Sequence, residues 1–115
     1  MRRKRFWVSR MNELQLTPEA VRDLAEIKRY IANDLGNPTA AIRVIGRITQ
    51  NLRILQNHAE AGPSVEAITG NTTDLRMLVC DKYIAIYRIN GKVVSVARII
   101  NARQDYMRVL FGEQE

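Results

Sequence analysis

Two segments of the chain carry apolar residues at helical spacing, and each opens with a helix-start signal. Thr17 precedes Pro18 and Asn37 precedes Pro38, which places a capping side chain before a proline suited to the first turn. Gly36 predicts the end of the first helix, so close to the second that the two should form an antiparallel hairpin. Apolar spacings of three and four predict one buried face on each helix: Val21, Leu24, Ile27, Ile31 and Leu35 on the first, and Ala41, Val44, Ile45, Ile48, Leu52 and Leu55 on the second.

Four shorter segments have the alternation or the β-branched composition of strands. They are residues 13–17, 75–80, 83–89 and 93–100. The last of them is apolar on both faces, which predicts a central position in a sheet. The three strands after the helices should form an antiparallel meander, because only short turns separate them.

Turn residues mark the connections between these strands. Asn90-Gly91 predicts a type I′ hairpin, since both residues tolerate positive φ, and Asp81-Lys82 predicts a short reverse turn. Residues 62–74 are predicted to be a connecting loop. The chain is therefore predicted to be an α+β protein, with an N-terminal antiparallel helical hairpin packed on a small, mainly antiparallel twisted sheet and a short C-terminal segment.

Length and charge predict one domain with a basic sheet side. The 115 residues are enough for one core, which we expect within residues 11–115. Residues 1–10 hold five cations and no acid, and are predicted to be a basic extension that is either disordered or the product of a start codon placed too early. Residues 76–108 hold seven basic and two acidic residues, which favours an anionic partner on that side. No apolar run approaches the roughly 20 residues of a membrane span.

The inventory of reactive residues excludes several classes of enzyme. One histidine, His58, and one cysteine, Cys80, provide neither a zinc site nor a Ser-His-Asp set. No glycine-rich phosphate loop follows a strand. We therefore predict no metal and no cofactor. Cys80 is predicted to be a small buried hydrophobic residue, and a chain with one cysteine fits the reducing cytoplasm.

Arginine and tyrosine supply the remaining candidate chemistry. A metal-independent ribonuclease needs a cation over the scissile phosphate and groups that exchange protons. Arg76 and Arg98 could contact such a phosphate, and Tyr106 could exchange a proton if its pKa were lowered. Further candidates for contact with a target or with nucleic acid are Tyr87, Arg88, Arg103 and Arg108. The competing interpretation is that the arginines form a solvated or salt-bridged sheet face.

The chain resembles the RelE/ParE superfamily of toxins from toxin–antitoxin modules over residues 12–111. The resemblance is carried by the order and spacing of LTPEAVRDLAEIKRYI, DLGNPTAA, AGPS, DLRMLV, YIAIYRINGKVVSV and RIINARQDYMRVLF. It implies a twisted sheet with a helical hairpin, and a toxin that a cognate antitoxin neutralises in a heteromeric complex. It also implies that operator DNA is bound only through the antitoxin and that no membrane is involved.

The two branches of this superfamily imply different targets. RelE-like members cut mRNA on the ribosome, and Arg76, Arg98 and Tyr106 match their strand arginines and terminal aromatic residue. Asn101, however, stands where many relatives carry a histidine. ParE-like members block DNA gyrase without catalytic groups, and the segment AEIKRYIANDLGNPTAA resembles them more. We therefore favour a gyrase-binding toxin. The alternatives are a ribosome-dependent mRNA endoribonuclease, and a degenerate module that binds antitoxin without toxicity.

Overall fold

The computed structural model describes residues 11–103, and its elements follow the predicted order. They are β1 (Glu13–Leu16), α1 (Pro18–Arg29) with a π-helical turn (Tyr30–Asp34), α2 (Pro38–Arg53) with a 3-10 turn (Ile54–Gln56), α3 (Val65–Thr69), β2 (Arg76–Cys80), β3 (Tyr83–Asn90) and β4 (Val93–Asn101). Within these residues no helix is both long enough and apolar enough to cross a membrane.

The helical hairpin forms where its start and stop signals predicted it. The Thr17 hydroxyl accepts a hydrogen bond from the Ala20 N–H at 3.1 Å, and the Asn37 side chain accepts one from Ala40 at the same distance. Each bond satisfies a backbone donor that has no partner within the helix. Gly36 ends the first helical segment with a φ of 65°, a left-handed conformation that glycine adopts without steric cost.

The four strands form one sheet in the order β1-β4-β3-β2, with β4 in the interior as its two apolar faces predicted. The β2–β3 and β3–β4 pairs are antiparallel, whereas β1 runs parallel to β4. The predicted β3–β4 turn is wrong by one residue. Asn90 pairs with Val93, so Gly91 and Lys92 form the loop, and Gly91 but not Lys92 has a positive φ. That combination is typical of a type II′ turn.

The main core lies between the helices and one face of the sheet. Its buried residues include Ala20, Ile48, Leu52, Leu55, Tyr87, Val94 and Val96. The predicted stripe on α1 is wrong at its two ends, since Val21 is 53% exposed and Leu35 58% exposed. The buried face is instead the row Ala20, Leu24, Ile27 and Ile31. Successive helical residues differ by about 100° in direction, so a stripe centred on Ala20 turns Val21 toward the flank.

The opposite face of the sheet carries a second apolar cluster. Its buried members are Val65, Leu75, Met77, Ile84, Ile86 and Ile100. Val65 comes from α3, which lies in the segment predicted to be a loop throughout, so that prediction is wrong. Ser64 caps this helix by accepting a hydrogen bond from the Ala67 N–H at 3.0 Å, and Gly70 ends it with a φ of 80°. The helix has five residues, too few for a helical period to be visible in the sequence.

A buried tyrosine holds the segment before α3 against the sheet. The Tyr87 hydroxyl donates to the Ala59 carbonyl at 2.7 Å and accepts from the Gly62 N–H at 3.0 Å. Gly62 is itself buried, and a Cβ atom there would collide with the backbone carbonyl of Met77. Glycine is therefore required at this point because the two backbones approach too closely for a side chain.

Gly62→Ala should destabilise the protein, because β2 or the loop must shift to admit the methyl group. We expect a loss of about 1–3 kcal/mol in the free energy of unfolding, measured by urea denaturation. Gly46→Ala is the matched control, since α2 leaves open space around Gly46. It should stabilise the protein by about 0.5–1 kcal/mol. Equal stability of Gly62→Ala and the wild type would contradict the close approach.

Candidate functional site

Arg98 is bound to the first helix rather than being open to a ligand. Its guanidinium donates to both carboxylate oxygens of Asp23, from Nε at 2.7 Å and from Nη2 at 3.1 Å. The Asp23 side chain is 16% exposed and that of Arg98 37% exposed. The hydrogen bond that Arg98 donates to Asp23 keeps the pKa of Arg98 above its ordinary value, against the opposing effect of burial. A phosphate at Arg98 would have to compete with this bidentate pair.

Asp23 also completes the edge of the sheet. One of its carboxylate oxygens accepts the Ile99 backbone N–H at 2.8 Å. The β1 strand ends at Leu16, opposite Val96, so β4 has no strand neighbour on that side further along. The carboxylate takes the place of the missing neighbour, because a backbone donor left unpaired inside a protein is costly. Arg98 and Asp23 therefore join α1 to the sheet.

Arg76 is likewise bound within the fold. Its Nε donates to the Gly62 carbonyl at 2.8 Å, and its Nη2 lies 3.4 Å from the Glu60 carbonyl. The side chain is partly buried beside the segment that Tyr87 also holds. Its guanidinium thus satisfies backbone carbonyls of the segment between the helical hairpin and α3.

The two strand arginines lie on opposite faces of the sheet. Arg76 pairs with Tyr87, and Arg98 pairs with Ile86. Tyr87 and Ile86 are successive residues of β3, and successive side chains of a strand point to opposite faces. The structure therefore does not bring Arg76 and Arg98 together over a single phosphate.

The remaining predicted contact residues have separate environments. Tyr87 is fully buried, which leaves no ring surface for a partner and corrects its predicted contact role. Arg88 is exposed and pairs with Asp74 at 3.2 Å. Arg103 is exposed, and its backbone N–H donates to the Asn101 side chain at 2.8 Å. Tyr106 and Arg108 lie outside the described residues.

A cleft of about 780 Å³ brings the predicted contact residue Arg103 together with three cations that the sequence analysis had not singled out. It lies between the turn joining α1 to α2 and the turn joining β2 to β3. Its basic residues are Arg43, Arg47, Lys82 and Arg103, and Asp81 is the acidic residue among those lining it. The sequence signal was the composition of α2, whose segment PTAAIRVIGRITQNLR holds three arginines and no acid.

The floor of this cleft is apolar and its walls carry two phenols. Ile31 and Ile48 contribute to the floor, and Tyr30 and Tyr83 to the walls. Burial, and to a lesser extent the neighbouring Tyr30, raises the pKa of Tyr83. Within residues 11–103 no three side chains of His, Cys, Asp and Glu type cluster closely enough to hold a metal ion.

Cys80 also borders the cleft, but as a core residue. It is buried, as predicted, and burial is the main cause that raises its pKa to about 11, with the nearby Asp81 charge adding to it. A thiol with such a pKa is almost entirely protonated near neutral pH, so it is a poor nucleophile.

Residues 14–106 match the family model described as the ParE toxin of the type II toxin–antitoxin system parDE. The chain belongs to the ParE toxin family. The resemblance to the RelE/ParE superfamily is thereby confirmed. A search of curated proteins gave no match.

Solved structures confirm the ParE-like fold. The chromosomal ParDE toxin–antitoxin system from P. aeruginosa contains a chain that is 24% identical, with a TM-score of 0.68, and the alignment covers 80% of this chain and 97% of that one. The toxin–antitoxin complex RelBE2 from Mycobacterium tuberculosis contains one that is 14% identical, with a TM-score of 0.59, and the alignment covers 79% and 98%. Similarity at these identities shows the shared fold.

Removing the Asp23 carboxylate from this ParE-family toxin should destabilise it more than removing an exposed carboxylate. Asp23→Ala leaves Arg98 and the Ile99 N–H without their acceptor, and we expect a loss of about 2–3 kcal/mol in urea denaturation. Asp74→Ala breaks the exposed pair with Arg88 and should cost under about 1 kcal/mol. Similar losses in the two variants would contradict the role assigned to Asp23.

The Cys80 thiol should resist alkylation while the protein is folded. We expect little labelling by iodoacetamide at about pH 8 in mass spectrometry, and complete labelling after unfolding in urea. The folded pKa of Cys80, about 11, exceeds its ordinary value of 9.0. The contribution of the protonated thiol to the free energy of unfolding is therefore fully present below pH 9. This contribution is lost as the pH rises through the folded pKa. Rapid labelling of the native protein would contradict the burial.

Proposed function

We propose that this ParE-family toxin inhibits growth by binding DNA gyrase, and that a cognate antitoxin neutralises it. The observation that carries the choice of target is the separation of Arg76 and Arg98 onto opposite faces of the sheet. A metal-independent nuclease needs a base, an acid and a cation within hydrogen-bond reach of one phosphate. Inhibition by binding needs an exposed contact surface and no such convergence.

The hydrogen bonds of the two arginines support the same choice. Arg98 already forms two short bonds to Asp23, and Arg76 already donates to the Gly62 carbonyl. Recruiting either guanidinium for catalysis would break a contact that stabilises the fold. Arg103, in contrast, is exposed, and the ion pair of Arg88 with Asp74 is solvent-exposed and therefore weak, so both residues can contact a protein target. Arg108 remains a predicted contact residue of the C-terminal segment, and Tyr106 a predicted proton-exchanging residue of the RelE-like alternative.

The proposed antitoxin is supported by the solved relatives and by the surface. Both similar structures are toxin–antitoxin complexes. The chain exposes large apolar side chains, among them Tyr30 and Leu35, which lie together at one end of the helical hairpin. Exposed apolar side chains close together are typical of surfaces that a partner covers. We further propose that operator DNA is reached only through this antitoxin.

A paired assay of the purified toxin tests the target. We expect gyrase supercoiling to be inhibited while mRNA on translating ribosomes stays intact. Arg103→Glu should raise the concentration for half-inhibition by about tenfold, the effect of losing about 1.4 kcal/mol of binding free energy. Arg22→Glu, a charge reversal at an exposed position on α1, is the matched control and should leave it unchanged.

The opposite result would identify the other branch of the superfamily. Codon-positioned mRNA cleavage with normal supercoiling would overturn the gyrase proposal and assign the protein as a ribosome-dependent endoribonuclease. Intact mRNA together with normal supercoiling at saturating toxin would overturn both and leave a module that binds antitoxin without toxicity.

A further inference from the structure

We propose that the basic cleft between the α1–α2 turn and the β2–β3 turn is the docking site for an acidic segment of the antitoxin that carries apolar anchor side chains. The inference rests on the proposed function, because it takes the antitoxin as the partner. It adds the surface, the chemistry of the bound segment and the residues that select it.

The charge of the cleft favours an anionic occupant. Four cationic side chains face one acid, Asp81, which already lies 3.4 Å from Arg47. Arg43 and Lys82 are both exposed, and among residues 11–103 neither side chain has an ion-pair partner. The fold thus places unpaired positive charge at this rim, whereas it pairs Arg98 and Arg88 with carboxylates elsewhere.

The floor of the cleft argues for a peptide rather than a nucleic acid. Ile31, Ile48 and Cys80 are buried beneath it, while Leu35 and Tyr30 stand at its edge with about half of their surfaces in solvent. A phosphate backbone is held by cations and by base stacking, and it gains little from an aliphatic floor. A peptide segment inserts apolar anchors into such a groove and places its polar residues along the rim.

The size of the cleft fits this occupant. Its volume is about 780 Å³, and pockets of about 300–1,000 Å³ enclose drug-sized molecules, so the cleft has room for a few anchor side chains of a longer segment. Both of its walls are secured by hydrogen bonds. Asn37 caps α2 on one side, and the Ala102 N–H donates to the Lys82 carbonyl at 2.8 Å on the other. A site held by regular elements loses little entropy when a partner binds.

Charge and apolar contact should act on different steps of binding. Rim charges attract an acidic segment during diffusion and so raise the association rate, an effect that salt weakens. Apolar anchors on the floor act after contact and lower the dissociation rate. The two contributions can therefore be separated by measuring association and dissociation kinetics.

The charge arm compares Arg43→Glu/Lys82→Glu with Arg22→Glu. The probe is the antitoxin purified from its complex with the full-length toxin, and its binding to each toxin variant is followed by biolayer interferometry at low and high salt. We expect the double variant to slow association at low salt by about tenfold or more. Arg22→Glu, exposed on α1 outside the cleft, should change it less than about twofold.

The apolar arm compares two exposed aliphatic residues of the helical hairpin. Leu35→Ser at the cleft should speed dissociation by about tenfold, whereas Ile42→Ser, outside the cleft, should change it less than about twofold. All five substituted positions are exposed, and unchanged unfolding curves confirm that the variants are folded. Should the double charge variant fail to fold, Leu35→Ser and its control test the same site.

Three results would overturn the proposal. One is equal slowing by the cleft and control charge variants, and another is equal dissociation from Leu35→Ser and Ile42→Ser. The third is displacement of the antitoxin from the cleft by a single-stranded RNA oligonucleotide, which would make the cleft a nucleic-acid site. If the toxin inhibits gyrase but any of these three results is found, the gyrase proposal stands and the docking-site proposal is rejected. If antitoxin binding shows the expected kinetics but the toxin has no effect on gyrase, the docking-site proposal stands and the gyrase proposal is rejected.

Discussion

The carboxylate of Asp23 is the contact on which the arrangement of the layers depends. The β1 strand covers only the first part of β4, so the remaining edge needs another partner. The start of α1 supplies this partner. The Thr17 hydroxyl donates to the Ala97 carbonyl at 2.9 Å, and Asp23 accepts the Ile99 N–H while binding Arg98. These contacts fix α1 against the sheet, and its short connection to α2 then places that helix over the main core.

This constraint also distributes the positive charge of the protein. Arg98 lies in the interior strand β4 and Arg76 begins the edge strand β2, and the fold uses their donors for Asp23 and for the loop carbonyl of Gly62. Two cations that have no ion-pair partner among residues 11–103, Arg43 on α2 and Lys82 at the β2–β3 turn, border the cleft instead. The arginines that the fold uses internally are thus spatially separate from the unpaired cations at the cleft.

Tyr87 shows how one side chain can serve both the core and the connections. Its ring is fully buried against the helices, and its hydroxyl holds the carbonyl of Ala59 and the N–H of Gly62. A phenylalanine would fill the same space but leave both backbone groups without this partner. The buried hydroxyl therefore fixes the path of the chain between the helical hairpin and β2.

Local sequence signals determined the helical hairpin, the central position of β4 and the burial of Cys80, because caps, glycine and apolar patterning act within a few residues. The partner of Arg98 was decided by tertiary structure, since Asp23 lies 75 residues away along the chain. The same is true of the cleft, whose walls come from separate segments. A strand arginine has the same sequence pattern whether it faces a phosphate or a carboxylate, so only the folded chain distinguishes a contact residue from a structural one.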